Sequence, residues 1–227
     1  MTGRRHERVR TAKGRKPSST RWLQRQLNDP YVAEAKRAGY RSRAAFKLTE
    51  LDDRLHLLRP GMTVVDLGAA PGGWTQVAVE RVRAPHPGRV VAVDISEFDP
   101  VTGAESLTLD LREPDAIEEL TKHVGGAVDV VLSDMGAPAT GHRATDHLRS
   151  MALCEAALDA AQTLLKPGGA LIVKALQGGA EAELLTRFKR DFASVRHVKP
   201  PASRSDSRET YIVATGFRGE KRPPAGR

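Results

Sequence analysis

A chain of 227 residues, 40% of them apolar, is long enough to bury one full core and short for two. Its formal net charge of +8 points to a polyanionic partner, and its single cysteine excludes an intrachain disulfide. No run approaches the ~18 apolar residues of a membrane span, and the basic N-terminus lacks the apolar stretch of a secretory leader, so a cytoplasmic protein with no membrane partner is expected.

The first sixteen residues carry Arg4, Arg5, Arg8, Arg10, Lys13, Arg15 and Lys16 against one acid, Glu7. Residues 1–19 read as a basic N-terminal tail, 20–217 as the folded domain and 218–227 as a second basic tail. Asp29-Pro30 reads as an N-cap and first helical residue, opening a helix to about Arg37. A second helix is expected from Ser42 to Leu55, and the basic segment Arg37–Lys47 adds to the pull on nucleic acid. Aromatic content is only 4%, so that grip is expected to rest on phosphates more than on base stacking. Strands are predicted at Thr63–Leu67, Arg89–Asp94, Leu107–Leu111 and Val128–Asp134. A helix near Thr145–Leu165 would align Leu148, Met151, Cys154, Leu158, Ala161 and Leu165, with Cys154 a core residue and not a nucleophile. The breaker Lys166-Pro167-Gly168-Gly169 should end it, followed by a strand at Ala170–Lys174, a helix at Ala180–Phe188, and strands near Val195–Val198 and at Thr210–Thr215. Alternating β and α units of this length predict an α/β fold with a mostly parallel sheet covered on both faces.

The densest chemical signal is Val64–Trp74, an apolar strand ending in Asp66 and followed by a loop with Gly68, Gly72 and Gly73. Such a loop lets backbone approach a ligand closely, and its spacing differs from the dinucleotide fingerprint. Asp66-x-Gly-x-x-Pro-Gly-Gly resembles the first motif of methyltransferases that use S-adenosylmethionine (SAM), which makes Gly68, Gly72 and Trp74 cofactor-site candidates. Asp94 ends the second strand, where a carboxylate can accept from ribose hydroxyls. Asp110, after the third, either meets the adenine amino group or caps a helix. Beyond the carboxyl ends of an open parallel sheet lies the ligand crevice, so Asp134 and Lys174 are expected there. Taken singly, a strand-end lysine such as Lys174 also reads as a residue snorkelling to solvent.

Together Lys47, Asp134, Lys174 and Glu209 match the Lys-Asp-Lys-Glu set of RNA ribose 2′-O-methyltransferases, and the chain resembles the FtsJ/RlmE family from about Arg21 to Gly216. The segments that carry the likeness are Tyr40–Leu48, Val64–Trp74, Ser133-Asp134-Met135 and Ser207–Ala214. The resemblance implies a Rossmann-like fold whose seven-stranded sheet has an antiparallel last strand. It also implies SAM-dependent methylation of a uridine 2′-hydroxyl in the A-loop of 23S ribosomal RNA, within the 50S subunit. Another RNA target, such as transfer RNA, and a non-catalytic RNA-binding relative are the alternatives; a monomer is expected. The chain departs from the family at Ala45, in the loop Gly136–Thr140 and after Gln177, all on the expected RNA side.

The residue types suit that chemistry. A ribose hydroxyl must lose its proton as it attacks, and a lysine accepts one only when burial or a neighbouring cation favours its neutral form. The apolar strand before Lys174 would supply the first and Lys47 the second. Asp134 would orient Lys174 beside the methyl group, and Glu209 would position Lys47 or the ribose. Deleting residues 1–16 is predicted to weaken RNA binding and to flatten its log–log salt dependence by about 0.7–0.9 per lost phosphate contact, with SAM binding unaffected. An unchanged slope would make the tail a solvated appendage.

Overall fold

The computed structural model describes Val9, Gly14 and residues 17–177 and 182–219. The remainder of both basic tails, and positions 178–181 at the expected start of the helix before Phe188, lie outside the described residues. Seven strands form one sheet in the order β3-β2-β1-β4-β5-β7-β6. The strands are β1 Thr63–Leu67, β2 Arg89–Asp94, β3 Glu105–Thr108, β4 Val128–Ser133, β5 Leu165–Leu176, β6 Phe192–Val198 and β7 Glu209–Phe217. β1 to β5 pair in parallel, whereas β7 runs antiparallel to both β5 and β6, as expected.

The helices are α1 Pro17–Asn28, α2 Pro30–Ala38, α3 Ala45–Leu55, α4 Gly73–Val82, α5 Ala116–Val124, α6 Arg143–Leu164 and α7 Ala182–Asp191. Asp29 caps α2 as its sequence predicts, accepting from Tyr31 N at 3.0 Å. The pattern did not anticipate α1 or α5. The buried stripe of α5, Ala116, Leu120 and Val124, spans only two turns.

Period-2 alternation sorts each strand's side chains between two cores. Val65, Leu67, Val131, Val173 and Ile212 join α5, α6 and α7 on one face. Val64, Val130, Leu132, Ile172, Tyr211 and Val213 join α3 and α4 on the other. Asp66, Lys174 and Glu209 share the parity of the second set, as does Asp134 just past β4, so all four belong to the α3–α4 side.

Three expectations are corrected. The Lys166–Gly169 breaker does not separate a helix from a strand, because β5 already begins at Leu165. The pairing shifts register between Val128 and Val130, and the proline and glycines form an irregular start to the strand. Leu148 stands 60% exposed near the start of α6 and is not core, while Met151, Cys154, Leu158 and Ala161 are buried. The third strand ends at Thr108, short of the predicted Leu111, because this edge strand has one neighbour and few buried side chains to hold it.

Cys154 is buried, and desolvation pushes its thiol up to about 12, with Glu155 adding to the shift. A disulfide exchange reagent at pH 8 is therefore expected to leave the native protein unlabelled over minutes and to label it fully in guanidinium. Rapid stoichiometric labelling of the native state would contradict this burial.

Candidate active site

The turn after β1 is built from backbone. Gly68 N and Ala69 N donate to Val93 O at 2.8 and 3.0 Å, which seats the loop on the end of β2. Gly68 has φ +76°, and a Cβ there would lie 2.9 Å from the Met135 Cα, so the loop after β4 passes where a side chain would stand. Asp94 braces the loop from the next strand. Its Oδ2 accepts from Ala70 N at 2.9 Å and its Oδ1 from Ser96 N at 2.9 Å.

Beneath the loop, Asp66 is fully buried, and its Oδ2 accepts from Thr75 Oγ1 at 2.7 Å while its Oδ1 has no hydrogen-bond partner among the described residues. Desolvation pushes its carboxyl up to about 7; the Thr75 bond opposes the shift, and the charges of Asp134 and Asp94 add to it. That oxygen is a buried acceptor that a hydrogen-bond donor would satisfy.

Of the other cofactor candidates, Trp74 is only 3% exposed, its Nε1 donating to Ala44 O at 2.9 Å and its ring lying 5.5 Å from that of Tyr211. Its side chain is part of the core. Asp110 sits on the loop after β3 and caps no helix; α5 is preceded by Asp115. Arg112 holds the Asp110 carboxylate, through side-chain and backbone bonds that lower its pKa to about 2.

At the same end of the sheet the four charged candidates converge. Lys174 Nζ donates to Asp134 O at 2.6 Å and lies 3.1 Å from Asp134 Oδ1. Lys47 Nζ, from α3, is 2.7 Å from Glu209 Oε1 and 3.8 Å from Asp134 Oδ2. Antiparallel β7 makes this possible: its first residue, Glu209, falls beside the last residues of parallel β5. Burial favours the neutral acid at Glu209, but Lys47, then Lys174 and Ser203, outweigh it and hold the carboxyl below its ordinary range. Lys47 is the more enclosed ammonium, with 9% of its side chain exposed against 17% for Lys174.

Sequence reasoning gave no role to Tyr211, although it stands within a recognised segment. Its hydroxyl lies 2.8 Å from Asp134 Oδ1 and 3.1 Å from Glu209 Oε1, and its ring lies beneath Lys47 Nζ at 5.8 Å from the centroid. Burial, and then the two carboxylates, raise its pKa well above the ordinary value, so it stays a donor. Ser203 Oγ donates to Glu209 Oε1 at 2.9 Å. No spacing rule points to Ser203, which reaches the site only through the turn before β7.

The basic segment Arg37–Lys47 is mostly engaged within the fold. Arg43 Nη2 donates to Ala202 O at 2.7 Å, and its Nε lies 3.0 Å from Asp29 Oδ2. Arg204 also meets Asp29 Oδ2, at 3.1 Å, and Glu50 takes Tyr31 OH at 2.9 Å and Ala202 N at 2.6 Å. These bonds tie α2 and α3 to the turn that carries Ser203 and leads to Glu209. Arg41 reaches backbone carbonyls, and Lys47 belongs to the charged cluster.

Residues 40–217 match the model of the FtsJ-like methyltransferase family. The chain belongs to that family. Among curated relatives it is 64% identical over 214 residues to a ribosomal RNA large subunit methyltransferase E of Rhodospirillum rubrum, covering 93% of this chain and 81% of that one. A protein of the same name from Bradyrhizobium sp. is 58% identical, over 96% and 95% of the two chains. Among solved structures, a ribosomal RNA methyltransferase of Plasmodium falciparum superposes with a TM-score of 0.71 at 29% identity, covering 80% of this chain and all of that one. A fibrillarin/Nop5p complex, at 20% identity and a TM-score of 0.52, shares the fold over 76% of this chain. All four charged residues of the cluster fall within the segment matched by the FtsJ-like family.

Replacing Tyr211 with Phe takes a donor from two partly buried carboxylates. Its unfolding free energy is predicted to fall by about 1–3 kcal/mol, read from the urea midpoint at constant slope. An unchanged midpoint would show that the hydroxyl does not hold the cluster.

Proposed function

We propose that this FtsJ-like methyltransferase transfers a methyl group from SAM to a ribose 2′-hydroxyl of 23S ribosomal RNA in the large subunit, the target being a uridine of the A-loop. The observation that carries the reading is the convergence of Lys47, Asp134, Lys174 and Glu209 at one end of the sheet, beside the glycine loop. The relatives named for ribosomal RNA large subunit methylation support the substrate. No helix of the described residues is long and apolar enough to cross a membrane, which is compatible with a cytoplasmic enzyme. We take it to act as a monomer.

The loop fits SAM. Its glycines let Met135 and Arg41 pack where a Cβ would stand, and beneath it Asp66 keeps a carboxylate oxygen with no partner among the described residues, which a donor of the ligand would satisfy. Gly68 and Gly72 would line the methionine part, and Asp94 would accept from the ribose hydroxyls while holding Ala70 and Ser96. Asp110, one strand further out, would meet the adenine amino group, with Arg112 keeping it ionised. When bound, SAM supplies a methyl group on a cationic sulfur that departs as a neutral thioether.

The residues of the chain do the rest. Lys174 would take the 2′-hydroxyl proton on Nζ as the ribose oxygen attacks. Asp134 fixes Nζ through its carbonyl and its carboxylate. The contribution of that carboxylate is geometric, and Lys47 lies on its other oxygen. Glu209 holds Lys47, and the Tyr211 hydroxyl lies within hydrogen-bond distance of both acids. Holding the reacting atoms in line contributes several kcal/mol, in the range known for proximity.

Lys174→Ala is expected to abolish methyl transfer while SAM and RNA affinities stay within about threefold, because the proton moves only on the way to the transition state. Lys174→Arg should fail as well, since a guanidinium stays protonated. The product should be 2′-O-methylribose, and an RNA with a 2′-deoxy target should be inert. Single-turnover methylation of naked 23S RNA and of 50S subunits across pH checks this; near-normal rates for Lys174→Arg would remove Lys174 as the base.

A further inference from the structure

We infer that Arg41 is a positioning residue of the SAM site, clasping the two loops that bracket the cofactor, and that it is not a phosphate ligand. The inference rests on the SAM-dependent reading above. Read as sequence, Arg41 belongs to the basic segment expected to face RNA. In the fold its guanidinium, although exposed, donates to three backbone carbonyls. Nη1 reaches Pro71 O at 3.1 Å and also Asp99 O, and Nη2 reaches Pro100 O at 2.6 Å. Pro71 belongs to the glycine loop after β1. Asp99 and Pro100 belong to the loop after β2, which begins at Asp94. One planar group with five fixed donors thus spans both loops.

The contact is close as well as polar. A Cβ added to Gly72 would lie 3.0 Å from Arg41 Nη1 and 3.2 Å from its Cδ, so the glycine is bare where the arginine crosses it. The backbone on either side of Arg41 is docked onto the same loop and its helix. Arg41 N donates to Gln76 Oε1 at 2.8 Å, and Gln76 Nε2 donates to Gly39 O at 3.0 Å. A few residues on, Ala44 O accepts from Trp74 Nε1 at 2.9 Å, and α3 then begins and carries Lys47. Residues 39–44 are therefore a strap between the cofactor loop and the helix that supplies one ammonium of the charged cluster. Three of its five donors are thus committed to the two loops.

The test uses the full-length protein with Arg41→Ala and Arg41→Lys. SAM affinity is measured by calorimetric titration, KM for SAM and kcat at saturating 23S RNA, RNA affinity across a salt series, and the melting temperature of each variant. Arg41→Ala should raise the SAM dissociation constant and KM at least tenfold, while kcat falls less than threefold and the salt slope of RNA binding is unchanged. Arg41→Lys keeps the charge but lacks the fork, and should recover less than half of the logarithmic loss in SAM affinity. A SAM affinity within twofold of wild type in Arg41→Ala overturns the proposal, as does a loss confined to RNA affinity that Arg41→Lys restores. Failure of both variants to fold also overturns it, in favour of a general structural brace. Failure of the wild type to bind SAM overturns the reading beneath the proposal, independently of any variant.

Discussion

Two ammonium groups and two carboxylates neutralise one another at the carboxyl end of the sheet, and much of the molecule is arranged so that they can. A charge taken out of water alone is prohibitive, and a pair breaks even only with good geometry and further hydrogen bonds. Here Asp134 stands between Lys174 and Lys47, Glu209 takes Lys47, and the Tyr211 hydroxyl bridges both acids. Removing any one member leaves its partners in an enclosed place with less compensation. A lysine held by a carbonyl and a carboxylate has little freedom to turn away, which suits the role proposed for Lys174.

The cluster draws its members from α3, β4, β5 and β7, which are joined in space by a second, purely structural network. Asp29 caps α2 and receives two arginines, Arg43 from just before α3 and Arg204 from the segment before β7. Glu50 joins Tyr31 to the backbone of Ala202. Both acids pin the turn before β7 against α2 and α3, so Ser203 and Glu209 arrive opposite Lys47. Arginines that composition would assign to a nucleic-acid surface instead define the internal geometry of the site. The net charge of the chain remains a sound argument for a polyanionic partner, but it does not say which cations meet that partner.

Local chemistry carried much of the fold. Asp29-Pro30 could be read as a helix start because the cap and the missing proline N–H act within one turn. The apolar runs ending at Leu67 and Asp94 could be read as buried parallel strands because both faces of such strands are covered. The failures have physical causes too. Lys166–Gly169 looks like a breaker, yet pairing with β4 absorbs it as an irregularity in β5. Leu148 continues an apolar stripe on paper but emerges on the exposed first turns of α6. The third strand lies at the sheet edge, where one neighbour does not override weak local preference.

The sequence by itself determined the α/β class and the glycine loop after the first strand, since both are written in short-range pattern, whereas the four charged residues were joined as a set by the family resemblance. Tertiary structure alone decided how they meet. Glu209 reaches Lys47 because β7 runs against its neighbours and so begins where β5 ends. Tyr211 enters the cluster because strand parity turns it to the α3–α4 face, and Ser203 because a remote turn is pinned beside it. Arg41 and Arg43 become braces because carbonyls and acids from distant segments stand within reach of their guanidinium groups. Strand direction, parity and the reach of a long side chain act between segments far apart in the chain, and local pattern carries no record of them.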